Sequence, residues 1–440
     1  MEFISFTRYE IGFIGVIVAL VLLALRVQVG VVLGIVAFVG ISTITSFNAA
    51  WGILTAIPYD FVSQWSLSAI PMFLLMGYLA ANAGLTSGIF KSANILMGRV
   101  PGGLASATVV SSALFASASG SSVATAAAFS RIAIPEMLKA KYSPSLASAS
   151  VAASGTLGSL IPPSVLMILY GIFTDTSIGA LFLAGIIPGI LSAIIYISMI
   201  TIRAKYNPSI APPNNKQYSK NERWDAYKDI WPLPMLIICV LAGIFTGIFS
   251  PTEAGAVGAG IAMLIAVMRG SLNFIILKKA LIETAIGTCT IFIVAIGASM
   301  FAAFMSLSTL PSILGNLLLG SVESTFTVIL MISLLVVLLG MFVDGISLLL
   351  LTIPIVMPVL TGLNIDLVWF GIIMIKLLEI GLITPPVGIN VYVIKSSLGD
   401  KINLNDIFKG VWWFILMDIV TLFILTSFPI ITLFLPKAMM

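Results

Sequence analysis

The sequence predicts an all-α polytopic membrane protein, an inverted repeat of two halves with about ten transmembrane helices and two re-entrant hairpins. Three observations predict it. Of 440 residues, 60% are hydrophobic and only 9% charged. Long apolar stretches recur from Ile11 to Leu435. Two proline pairs, Pro162–Pro163 and Pro385–Pro386, sit inside such stretches at matching places.

Soluble domains carry about 25% charged residues, so a chain of mean hydropathy +1.17 cannot build a water-exposed surface. Some 20 apolar residues cross a hydrocarbon core of about 30 Å. A β-barrel would show roughly ten-residue alternating segments instead. Cys239 and Cys289 lie in apolar segments without CxxC spacing, against a structural disulfide or zinc site. The chain has no histidine, which removes Ser/His/Asp and Cys/His triads. The net charge of +4 does not point to nucleic acid, because the basic residues are scattered over short loops. Glu2, Arg8 and Glu10 open the chain without a small-residue cleavage site, so the first apolar run reads as a retained span in the lipid bilayer.

Orientation follows the Lys and Arg residues of short loops. Arg26 separates runs 11–25 and 29–47; with Arg26 cytoplasmic, the N-terminus lies outside. Run 67–84 returns inward to Lys91 and Arg99. The Gly/Ala/Ser-rich stretch 103–135 has positive charge on both sides, with Lys91 and Arg99 before it and Arg131, Lys139 and Lys141 at its end. It therefore reads as a hairpin that enters and leaves on one face. Run 144–172 must break at Pro162–Pro163, where two backbone donors are missing and the rings clash with the preceding turn. A span at 178–202 completes the first half, residues 1–202.

Segment 203–230 reads as a polar cytoplasmic linker. Arg203, Lys205, Lys216, Lys220, Arg223 and Lys228 stand there against Glu222, Asp225 and Asp229. The second half, residues 231–440, repeats the order. Spans 231–249, 252–268 and 281–307 leave Arg269, Lys278 and Lys279 inside. Stretch 325–360, interrupted at Asp344-Gly345, reads as a hairpin from outside. A helix at 366–394 breaks at Pro385–Pro386 and ends near Lys395, Lys401 and Lys409. A last span, 410–435, leaves the C-terminus outside as well.

Residues repeat along with the topology. Gly158-Ser-Leu-Ile-Pro-Pro163 matches Gly381-Leu-Ile-Thr-Pro-Pro386, and Ser119-Gly120-Ser121-Ser122 sits where Asp344-Gly345-Ile346-Ser347 sits in the second half. Paired broken helices in an inverted repeat are the signature of a secondary transporter with its site near the midplane. Unwound backbone leaves carbonyls that cost several kcal/mol each unless something binds them. Helix N-termini there also offer amide donors to an anionic group.

Two pseudo-symmetric sodium sites are therefore expected, one at Ser119, Ser121, Ser122, Gly155, Gly158 and Pro162. The other comprises Asp344, Gly345, Gly381, Thr384, Pro385 and Gly388. An intramembrane aspartate costs roughly 2.5–3.5 kcal/mol on insertion scales, and a sodium ion is its natural partner. Substrate is expected between the tips, near Ser122, Ser154, Thr156, Ser347, Thr384 and Asn390.

Small-residue runs such as Ala116–Ala128 commonly serve helix packing, but the matched hairpin and the Pro-Pro break favour a site. Lys376 and Glu379, at i, i+3, read as a structural ion pair. Glu253 in Pro251-Thr-Glu-Ala reads as a helix cap. Trp51, Tyr59, Trp65, Trp412 and Trp413 read as interfacial anchors.

The chain closely resembles the large membrane subunit (DctM-like, or M) of tripartite ATP-independent periplasmic (TRAP) transporters along essentially its whole length. The resemblance rests on Ile70-Pro-Met-Phe73, Ser119-Gly-Ser-Ser122, Gly155-Thr-Leu-Gly-Ser-Leu-Ile-Pro-Pro-Ser164, Pro251-Thr-Glu-Ala-Gly255, Gly340-Met-Phe-Val-Asp344 and Glu379-Ile-Gly-Leu-Ile-Thr-Pro-Pro-Val-Gly-Ile-Asn390. It implies a bacterial inner-membrane location and an elevator mechanism, in which hairpins and broken helices form a moving transport domain on a scaffold. It also implies a small four-helix membrane subunit (Q) and a soluble periplasmic substrate-binding protein (P). The expected activity is sodium-coupled uptake of a small organic anion, a carboxylate or sulfonate, without enzymatic chemistry. With only Met1–Glu10 before the first span, the small subunit is expected on a separate chain. A stand-alone sodium–dicarboxylate symporter of the same architecture is the alternative.

Overall fold

The computed structural model describes residues 6–98, 100–213, 219–321 and 324–439. Glu2, Arg99 and Lys216, used above in the charge count, lie outside the described residues. Among the described residues the architecture is all helical, with no strand.

The first half contains α1 (Arg8–Ala24), α2 (Val29–Ile44), α3 (Phe47–Val62), α4 (Ala69–Asn82) and α5 (Leu85–Met97). A hairpin follows, α6 (Gly103–Ser119) and α7 (Ser122–Lys139), then the broken pair α8 (Pro144–Leu160) and α9 (Val165–Phe173), and α10 (Ile178–Tyr206). The second half contains α11 (Lys220–Ile230), α12 (Pro232–Phe245), α13 (Pro251–Met268), α14 (Phe274–Ser308) and α15 (Leu310–Ser321). Its hairpin is α16 (Thr325–Gly340) and α17 (Gly345–Gly362), its broken pair α18 (Leu367–Ile383) and α19 (Ile389–Leu398). The chain closes with α20 (Leu404–Ser427) and α21 (Ile430–Met439).

Local chemistry explains the helix starts. Ser143 accepts from the Leu146 amide just before Pro144, a residue suited to the first helical position. Ser250 and Glu253 form a reciprocal capping box on α13, as the spacing predicts. The breaks fall at the proline pairs, both of which carry a cis peptide bond. α8 and α9 meet at 41°.

Seven helices among the described residues are long and apolar enough to cross a bilayer, eight with α8 and α9 taken as one span. That is fewer than the ten expected. α1 and α2 have only 17 and 16 residues, about 24–26 Å of helix at 1.5 Å per residue. α14, at 35 residues, is by contrast some 52 Å long and outruns a 30 Å core. The linker also differs from expectation. α10 runs on to Tyr206, and the polar segment contains α11, which packs on α5. Trp51, Tyr59, Trp65, Trp412 and Trp413 are all exposed, as anchors must be, and Trp413 carries the Arg203 guanidinium 4.4 Å above its ring.

Two sets of contacts position the site. α14 packs on α2 and α4, and α4 on α13. Each hairpin packs on the broken helix of its own half, α6 and α7 on α8, α16 and α17 on α18. The second arms also cross over: α7 packs on α19 and α17 on α9. The two hairpins and the two breaks are thus interlocked.

Candidate functional site

Both hairpin tips end in a helix cap. Ser121 opens α7, its hydroxyl accepting from the Ala124 amide at 3.3 Å. Asp344 opens α17, its carboxylate accepting from the Ser347 amide at 3.1 Å. Ser121 is therefore the counterpart of Asp344, two residues out of step with the pairing of Gly120 with Gly345. The glycines differ accordingly: Gly120 closes α6 with φ +62°, a left-handed conformation that favours glycine, whereas Gly345 is the first residue of α17.

The tips meet in one cavity of about 260 Å³. Gly120, Ser121, Ser122 and Val123 come from the first tip, and Asp344, Gly345 and Ile346 from the second. Ser159, Val165 and Leu166 flank the first break, while Glu379 and Leu382 precede the second. The opposite wall is α4 (Leu74, Tyr78) and α14 (Gly287, Thr290, Ile291). Among the described residues, two carboxylates, Asp344 and Glu379, line this cavity, and no Lys or Arg does.

Of the expected site residues, the structure brings Ser121, Ser122, Asp344 and Gly345 to the cavity. Ser119 faces a neighbouring cavity of about 170 Å³ between the first hairpin and the Asn82–Glu283 hydrogen bond. Gly155 lies beneath the tip, where an added Cβ would come 3.1 Å from the Ser122 carbonyl oxygen. Gly158 and Gly381 are matched packing points: a Cβ on Gly158 would strike Ala116 of α6, and one on Gly381 would come 2.7 Å from Gly340 of α16. Pro162 and Pro385 form the breaks, and Gly388, at φ +60°, restarts the chain into α19.

Ser154, Thr156, Ser347, Thr384 and Asn390 do not line the cavity; they are buried in the helices around it. The hydroxyls of Ser154, Thr156 and Thr384 donate to carbonyls of their own helices. The Asn390 amide donates to the Ala152 carbonyl, and its side-chain oxygen has no hydrogen-bond partner among the described residues.

The expected Lys376–Glu379 ion pair does not form. Lys376 reaches Asp418 of α20, 2.5 Å away, and Tyr196 of α10 donates to the same carboxylate oxygen. Both ends of that pair are buried. Lys376 and Glu379 are about 60° apart around a helix of 3.6 residues per turn, enough to send one toward α20 and the other toward the first tip. Glu379, 2% exposed, receives the Ser122 hydroxyl at 2.8 Å from each of its oxygens. Ser159 lies 2.9 Å from Ser122. A hydroxyl has one proton, so with Ser122 donating to Glu379, Ser159 donates to Ser122.

Sequence reasoning thus passed over Glu379, Ser159, Tyr78 and Thr290. A signal existed for the first: an acid inside an apolar span is a functional candidate by default. Ser159 stands within the matched Gly158–Pro163 motif. Tyr78 and Thr290 belong to no motif and arrive only through packing.

Comparison with known proteins agrees with this architecture. The sequence model of the family described as "Tripartite ATP-independent periplasmic transporter, DctM component" matches residues 16–431. The chain is 34% identical over 377 residues to the sialic acid TRAP transporter large permease protein SiaM of Vibrio cholerae, covering 86% of this chain and 87% of that one. It is 34% identical over 382 residues to the C4-dicarboxylate TRAP transporter large permease protein DctM of Pseudomonas aeruginosa, covering 86% and 88%. Among solved structures, the Alcanivorax borkumensis YdaH transporter shares the fold, with a TM-score of 0.60 at 16% identity over 85% of this chain and 87% of that one. The chain therefore belongs to the DctM component family of tripartite ATP-independent periplasmic transporters, as a multi-pass inner-membrane large permease and not an enzyme.

Proposed function

We propose that this permease carries a small organic anion, a carboxylate or sulfonate, into the cell by sodium-coupled secondary transport. The relatives named for sialic acid and C4-dicarboxylates support an organic acid as cargo. One observation carries the coupling: both hairpin tips converge on a cavity with two carboxylates and no basic side chain. An anion entering that space meets like charge in a medium of low dielectric, where repulsion is strong. Cations entering with it reverse the sign. Asp344 and the serine hydroxyls of the first tip supply oxygen ligands suited to sodium, a hard cation.

The cavity's position supports an elevator. One wall belongs to the interlocked hairpins and broken helices, the other to α4 and α14. Sliding of the first unit along the second would carry the cavity across the membrane while the tips stay together. The halves are then inverted repeats and both termini lie in the periplasm. A four-helix small subunit and a periplasmic binding protein complete the system.

The test is uptake into proteoliposomes containing both membrane subunits, with the binding protein and radiolabelled C4-dicarboxylate or sialic acid outside. An inward sodium gradient is expected to drive accumulation of one of them, and only with all three components. Accumulation at the same rate in choline would overturn the coupling, and full uptake by this chain alone would favour a stand-alone symporter.

A further inference from the structure

Three ionisable side chains are buried together in the interlocked unit: Lys376, Glu379 and Asp418, each at most 2% exposed. Lys376 is committed to Asp418 at 2.5 Å. Among the described residues Glu379 has no ion-pair partner; the side chains bonded to it are neutral hydroxyls. With all three ionised, two carboxylates against one ammonium leave this cluster one negative charge in excess. The other charged side chain at the cavity, Asp344, is acidic as well. An ionised carboxylate isolated in the interior is among the most expensive groups a protein can hold, so its charge is balanced by a bound cation or by a proton.

Glu379 is also reachable, because it lines the 260 Å³ cavity along with Ser122 and Ser159. Every polar side-chain atom lining that cavity is an oxygen, from Tyr78, Ser121, Ser122, Ser159, Thr290, Asp344 or Glu379. A lining whose polar side-chain atoms are all oxygens suits a hard cation.

We propose that the Glu379 carboxylate, with the Ser122 and Ser159 hydroxyls, binds a monovalent cation of sodium type at the floor of the cavity. This site lies on α18, α7 and α8, and it adds a side-chain carboxylate to the backbone-based sites expected at the two breaks. The proposal rests on the sodium-coupled reading above. It goes further in assigning one coupling ion to a residue whose i, i+3 lysine points elsewhere.

The test uses the complex of both membrane subunits and sodium chloride alone as ligand, with choline chloride holding ionic strength. Thermal stability is followed against sodium concentration for wild type and Glu379→Gln. Glutamine keeps the shape and still accepts from Ser122, but removes the charge. In choline, Glu379→Gln is expected to melt at or above the wild-type temperature, since the uncompensated charge is gone. The slope of stability against the logarithm of sodium, which counts ions taken up by the folded state, is expected to fall by about one ion.

An unchanged slope with wild-type sodium affinity would overturn the proposal, and so would an equal loss of stability in both salts, which marks a merely structural acid. A wild type indifferent to sodium would instead sink the sodium reading as a whole. Should Glu379→Gln fail to fold, Ser159→Ala decides. Loss of one hydroxyl ligand is expected to raise the half-saturating sodium concentration roughly 2- to 10-fold, and no change would refute the site.

Discussion

Replacing Lys376 with methionine tests the buried pair that separates this lysine from Glu379. Methionine, unbranched and one atom shorter, keeps most of the side chain and removes the charge. Asp418, 1% exposed, would lose an ammonium 2.5 Å from its Oδ1 and keep only the Tyr196 hydroxyl. Its Oδ2 has no hydrogen-bond partner among the described residues, so nothing nearby stands ready to compensate. Breaking a buried pair by removing one partner costs about 3–5 kcal/mol, and this pair meets the conditions for that range. The double variant Lys376→Met/Asp418→Leu removes both charges. It leaves only the Tyr196 hydroxyl unpaired, a cost of about 1–3 kcal/mol, which apolar packing in place of the pair offsets in part. The double variant is therefore expected within about 2 kcal/mol of wild type, clearly above the single one. Equilibrium unfolding of the purified subunit in mixed micelles, run as a double-mutant cycle, measures both. A single variant losing less than about 1 kcal/mol, as an exposed pair does, would refute the reasoning. So would a double variant as unstable as the sum of its singles.

Other substitutions probe other parts of the structure. Gly158→Val and Gly381→Val should each drive a side chain into the first arm of the neighbouring hairpin, costing about 1–3 kcal/mol by overpacking. Thermal melts that leave either unchanged would show that the arms are not in contact there. Ser143→Ala removes the cap that holds the Leu146 amide at the start of α8 and should cost about 1 kcal/mol, read from the same melts. Lys139→Ala breaks a pair whose side chains are 74% and 51% exposed, so a loss above about 1 kcal/mol would contradict the weight given to burial here.

Much of this architecture was legible in the sequence because the bilayer leaves few choices. The proline pairs cannot continue a helix, and both breaks fall on them. Positive charge flanking 103–135 pointed to the hairpin that α6 and α7 form, and Asp344 marked the tip of the second. Less legible were α3, α5, α11 and α15, which are too short or too polar to register as spans. The register of the tips slipped by two residues because two glycines were paired by identity, whereas Ser121 and Asp344 share the capping role. Lys376 illustrates the larger limit. A glutamate three residues away looked a sufficient partner, while the true one, Asp418, lies 42 positions further on and is brought close only by the packing of α18 on α20. Tyr78 and Thr290 reach the cavity for the same reason: helix packing, not local pattern, chooses the opposite wall.

Sodium-driven uptake by Asp344→Asn most directly tests whether the cavity between the tips is the coupling site. Asparagine caps a helix about as well as aspartate, so α17 and the melting temperature should survive while the charge is lost. In proteoliposomes with both partner subunits, the variant is expected to lose the response of uptake to an inward sodium gradient. Wild-type sodium-driven uptake in Asp344→Asn would contradict the assignment of this cavity to sodium coupling.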